Sequence, residues 1–266
     1  MNRKPAHVAP VALAMLSLLP TAGFAQSDTR RPRFDAASVK VNESGDRPFT
    51  RYDPTRVDLH KASVRHLVRR AWPLPDYRIV WPAWVDAQRG ARGYDVSVTF
   101  PPGTSPEMLN LMFQDLLVTR FGLVTHQETR GLKAFEVRVS EQGSKLQAAK
   151  NPAPPTDFPK YTTRIETGLW HFSSQLGGAP SGLTVAGFLE GIDATHILDR
   201  PLVDATGIPG NYDIELSAPA DVPENKPDAS ELLKALEKQL GLKETPKTLW
   251  LQMLVIDRME RIPTEN

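Results

Sequence analysis

The chain has 266 residues, 32 Lys+Arg against 31 Asp+Glu, 6 His and no Cys. Such a length suffices for one large domain or two small ones with a real core. The missing cysteine excludes disulfides, Cys-ligated metal sites and a thiol nucleophile, and the near-neutral balance gives no reason to expect a nucleic-acid partner.

Arg3 and Lys4 precede an apolar run over 8–19, and Gly23 and Ala25 stand at the −3 and −1 positions of a cleavage site. This is the pattern of a secretory signal peptide over 1–25. The run is about a dozen residues, short of the ~20 that span a bilayer, and no Cys follows it for lipid attachment. Export to the periplasm or the medium is expected, with no membrane span after cleavage.

A strand is expected at 56–61. Ser63 then caps a helix carrying Val64, Leu67, Val68 and Ala71, and Pro73 stops it. Tyr94-Asp95-Val96-Ser97-Val98 alternates as a half-buried strand does. Ser105-Pro106-Glu107 opens a second helix with Leu109, Met112, Phe113, Leu116, Leu117 and Phe121 at helical spacing, ended by Gly122. A polar strand, a turn and an apolar strand over 134–139 are expected to follow. Residues 145–160, with Pro152, Pro154, Pro155 and Pro159, read as a linker.

The same order then recurs. A strand at 169–174 precedes a helix capped by Thr184, weakened by Gly187 and Gly191. Tyr212-Asp213-Ile214-Glu215-Leu216 repeats the alternation of 94–98. Asp228 caps a helix with Leu232, Leu233, Leu236 and Leu240, Gly241 ends it, and an apolar strand over 249–256 closes the pattern. The periodicity predicts an α+β fold of two similar units over 34–144 and 161–266. Each has an antiparallel or mixed sheet with two helices on one face.

Many of these residues also carry a resemblance. They are Ser38-Val39-Lys40, Pro82-Ala83-Trp84-Val85, Tyr94-Asp95, Leu116-Leu117, Arg120-Phe121-Gly122-Leu123, His126 and Thr129-Arg130. In the second half they are Asp204-Ala205-Thr206-Gly207, Gly210-Asn211-Tyr212-Asp213, Gln239-Leu240-Gly241-Leu242, Val255-Ile256-Asp257 and Pro263-Thr264-Glu265-Asn266. The chain resembles a secreted domain-of-unknown-function family expanded in Solibacter-type soil bacteria. Similar domains are fused to membrane metallopeptidases of the beta-lactam-sensor type. The resemblance implies export and, by domain context, a sensing or docking role beside an envelope protein or membrane sensor. It implies no activity. Trp81 and the Gly-rich stretch 177–182 depart from the family pattern.

The search for chemistry yields little. G-x-S-x-G, S-x-x-K, H-E-x-x-H and the phosphate-binding glycine motifs are missing, and no cofactor is expected. Asp193, His196 and Asp199 have a spacing that one helix face turns toward a metal, but a helix end uses the same residues as caps, and no metal site is expected. His126 with Glu128, or with Asp95, is the weak candidate for a general base in an envelope-directed hydrolase. Asp95 and Asp213 occupy equivalent repeat positions, which favours a structural role. Arg65, Arg69 and Arg70 give the first helix a basic face, and Trp72, Tyr77, Trp81 and Trp84 cluster beside it. These seven residues form the expected partner-binding surface of a non-enzymatic module.

Overall fold

The computed structural model describes residues 31–87, 92–150, 162–166, 168–174, 182–221 and 226–264. The expected signal peptide (1–25), most of the linker (151–160) and most of the Gly-rich stretch (177–181) lie outside them.

Strands β1 (Ala36–Asn42), β2 (Phe49–Asp53) and β3 (Arg56–Ala62) lead into helix α1 (Val64–Ala71). A 3-10 turn at Asp76–Arg78, β4 (Ile79–Val80) and α2 (Ala83–Ala87) follow. Then come β5 (Gly93–Thr99), α3 (Pro106–Phe121) and β6 (Val124–Val139). The rest of the chain forms β7 (Gln147–Ala148), β8 (Thr162–Glu166), β9 (Leu169–Ser173), α4 (Val185–Asp193), β10 (Leu202–Asp204) and β11 (Tyr212–Asp213). It ends with β12 (Glu215–Asp221), β13 (Lys226–Pro227), α5 (Ala229–Ala235), a wide turn at Leu236–Leu240 and β14 (Leu242–Arg258). The fold is mixed, with helices packed on sheets.

Capping chemistry fixes the helix starts. Ser63 Oγ accepts from the His66 N–H at 3.1 Å, and Ser105 Oγ from the Met108 N–H at 3.2 Å. Thr184 Oγ1 accepts from the Gly187 N–H at 3.0 Å, and Asp228 Oδ1 from the Ser230 N–H at 2.7 Å. Each bond satisfies an N–H that the first helical turn leaves without a partner. At the far ends Gly122 and Gly241 take φ of 56° and 67°, the left-handed conformation that terminates a helix with least strain in glycine.

One outer sheet has the antiparallel order β1-β5-β3-β2, and the other has the order β13-β12-β9-β8. Between them lies a sheet of order β10-β6-β14-β4. There β6 and β14 are antiparallel, while the short β10 and β4 run parallel to β6 and β14 respectively. From either edge this sheet reads short, long, long, short.

The long strands correct one expectation. The polar strand, turn and apolar strand foreseen after each helix are single strands of 16 and 17 residues. Thr129-Arg130-Gly131-Leu132-Lys133 has turn-like composition, yet all five residues pair with partners on β14. The ladder satisfies the backbone groups that a local turn would otherwise have to satisfy.

Two hydrophobic cores result. The first contains Val57, Leu59, Leu67, Val68, Tyr94, Phe113, Leu117 and Phe121, together with Leu254, Ile256 and Met259 from the far end of the chain. The second contains Phe172, Phe188, Leu189, Ile192, Ile214, Leu216, Leu232 and Leu236, together with Val137 of β6. Each long strand therefore begins at one core and ends in the other.

Candidate functional site

The basic face of α1 is turned inward. Arg65 NH1 donates to both carboxylate oxygens of Asp76, at 2.6 and 2.5 Å, and its guanidinium lies 4.7 Å from the Trp81 ring centre. Arg69 reaches across to α4 and pairs with Glu190 at 2.5 Å. Arg70 is 9% exposed, its guanidinium is 5.3 Å from the Phe113 ring centre, and burial lowers its pKa to about 10. Burial, with Arg70 and Arg69 adjacent, also pushes His66 down to about 4.

The aromatic segment packs against the same joint. Trp72, Trp81 and Trp84 are half-buried on the first core, and Arg261 covers the Trp84 ring at 5.2 Å. Burial raises Tyr77, with the charges of Asp193, Glu190 and Asp204 adding to the effect. Of the seven residues of the expected binding surface, Arg65 joins Asp76 and Trp81, Arg69 and Tyr77 lie near Glu190, Arg70 lies against Phe113, Trp72 on the first core and Trp84 under Arg261. Burial also raises Glu190, aided by Asp76 and opposed by Arg69. Asp193 accepts from the Leu202 N–H at 3.0 Å, yet burial, with Glu190 nearby, pushes it up to about 7.

The structure does not bring His126 to Asp95. His126 is half-exposed on β6, and its Nδ1 lies 2.8 Å from Asp257 on β14. Its Nε2 is 4.0 Å from Glu128, which also pairs with Arg130. Asp257 is the orienting carboxylate that sequence spacing missed, because only the β6–β14 register makes the two residues neighbours. Asp95 sits in the first outer sheet. Burial opposes its charge, but bonds from Asn42 Nδ2 and the Lys61 N–H, both at 2.9 Å, hold it below the ordinary carboxylate range. Asp213 accepts from the Lys150 N–H at 3.4 Å, so both aspartates accept from backbone N–H groups.

The metal-like triple is dispersed. Asp193 faces Leu202, His196 takes a left-handed φ of 55°, and Asp199 pairs with Arg200 at 2.5 Å. Among the described residues no cluster of three or more metal-ligating side chains occurs. A cleft of about 400 Å³ lies between the start of β1 and α3, where Arg33 pairs with the buried Asp115 at 3.2 Å.

Among the described residues, the most exposed aromatic lies elsewhere. Trp250, 74% exposed, stands midway along β14. Its cross-strand partner is Gly131, and a Cβ there would lie 3.6 Å from the indole ring. Alternation places Thr129, Lys133, Thr248 and Gln252 on the same face as Trp250 and Gly131, and all are exposed. Next along that face, Gln252 Nε2 donates to Gln127 Oε1 at 3.1 Å. The residue pattern alone places Trp250 in an apolar strand. Its outward orientation follows from pairing across more than a hundred residues.

No helix among the described residues is long and apolar enough to cross a membrane. A family model described as a protein of unknown function (DUF3738) matches residues 65–259. No curated protein and no solved structure matches the chain.

Proposed function

The chain belongs to the DUF3738 family, and on that premise we propose that it is an exported, non-enzymatic binding module for a component of the cell envelope, with the outward face of the β6–β14 ribbon as its contact surface. The single observation that carries the reading is Trp250, a large aromatic 74% exposed on a fully paired strand. A big rigid ring left in water on a regular scaffold gives contact area at little cost in side-chain freedom. In the 65–84 segment Arg65 pairs with Asp76, Arg69 with Glu190 of α4 and Arg78 with the Gln252 carbonyl, so much of its charge is engaged within the fold. Export rests on the pattern of residues 1–25.

We infer as well that 34–144 and 161–266 are copies of one unit. The series β3, α1, β4, β5, α3, β6 is answered by β9, α4, β10, β12, α5, β14. Ala62 opposite Tyr94 in one half corresponds to Leu183 opposite Tyr212 in the other. Poor superposition of these paired elements would sink the inference.

The test of function is retention of envelope material on the immobilised full chain. Trp250→Ala is expected to abolish it, and the double variant Trp81→Ala/Trp84→Ala, if folded, to retain it. The reverse pattern would return the contact surface to the 72–84 segment.

A further inference from the structure

We propose that the Trp250 face is a stacking platform for a neutral polysaccharide, a proposal that rests on the reading of this face as the contact surface. The chemistry around the indole selects the ligand. Sugar rings present a C–H face that packs on an aromatic plane and hydroxyls that need both donors and acceptors. Thr129, Thr248 and Gln252 surround Trp250 on its own face with hydroxyls and an amide. Gln252 and Gln127 use one donor and one acceptor on each other. The Gln252 oxygen and the Gln127 amino group are of the acceptor and donor types that sugar hydroxyls pair with. Such side chains match alcohols without the desolvation cost of an ion.

Other occupants fit less well. A protein hot spot needs several large apolar anchors in a desolvated pocket, and here one exposed indole stands beside Thr129, Lys133, Thr248 and Gln252. A nucleic acid needs a row of cations, and Lys133 is the only charged residue on this stretch of the face between Gln127 and Thr248. Gly131 has a part in the geometry. With no side chain at 131, the Cζ2 and Cη2 edge of the indole approaches this position while the residue stays 74% exposed.

The test is affinity electrophoresis of the full chain in native gels cast with hydroxyethyl cellulose, mannan or soluble xylan. Retardation in at least one gel is expected. Trp250→Ala should weaken the apparent affinity at least about tenfold, and Trp250→Phe should weaken it less. Gln252→Ala leaves the indole packing on Gly131 intact and should also reduce retardation, so the result does not depend on Trp250→Ala folding alone. Equal retardation of wild type and all three variants would overturn the platform, as would unretarded migration in every gel. If retardation is absent while envelope retention still depends on Trp250, the ligand is a protein. The polysaccharide proposal then fails and the contact surface stands.

Discussion

Asp193 carries its proton well above the ordinary carboxylate range, at about 7 against 3.8 for the free side chain. Burial is the main cause, and Glu190 one turn earlier adds repulsion. A folded-state pKa above the unfolded one means that the folded chain holds the proton more tightly. That contribution to stability is complete below about pH 4 and is lost as pH rises through 7. Asp193→Asn keeps an oxygen for the Leu202 N–H and removes the titration. The variant should therefore gain on the wild type across pH 4 to 7, by at most about 1.4 kcal/mol per pH unit. Thermal unfolding at a series of pH values measures the gap, and a constant gap would refute the assignment. At this scale sequence identified the charged residues and not their uses. Arg69 and Glu190 are 121 positions apart and meet only because α1 and α4 face each other.

The two helix-ending glycines separate element from context. Gly122 and Gly241 share a left-handed backbone, so alanine at either costs about 1–2 kcal/mol in strain. Their surroundings differ. A Cβ on Gly122 meets nothing closer than 3.6 Å, whereas on Gly241 it would lie 2.0 Å from the Gly143 carbonyl oxygen. That carbonyl belongs to the turn joined to this site by the bonds from Ser140 N–H to Gly241 O and from Lys145 N–H to Leu240 O. Gly241→Ala is expected to cost about 4 kcal/mol or more, beyond the usual range of single substitutions, and Gly122→Ala far less. Denaturant titration of the two variants decides, and equal losses would contradict the close approach. Caps and glycine stops were legible because their chemistry lies within four residues. The unbroken ribbon was not, because Gly131 and its neighbours look like a turn until β14 is laid beside them.

Over the whole molecule, the exchange of long strands makes the two cores interdependent. Leu254, Ile256 and Met259 complete the first core from the end of the chain, and Val137 completes the second from the first half. Residues 34–144 expressed alone should lack a closed core and remain largely unfolded, as should 161–266. Mixed together, they should recover native circular dichroism and elute as one species. Independent folding of either fragment would show that the exchange is dispensable. In the full chain, Leu254→Ala should cost about 2–5 kcal/mol, the loss expected for a buried leucine. The amino-acid order by itself determined the capped helices and the mixed fold class, since periodicity, capping and glycine stops act over a few positions. Tertiary structure alone decided that Arg65 and Arg69 point inward, that His126 meets Asp257, that each closing strand serves the opposite core and that Trp250 faces water. Each of these depends on which strand or helix becomes a neighbour, and that choice is fixed by burial summed over distant segments.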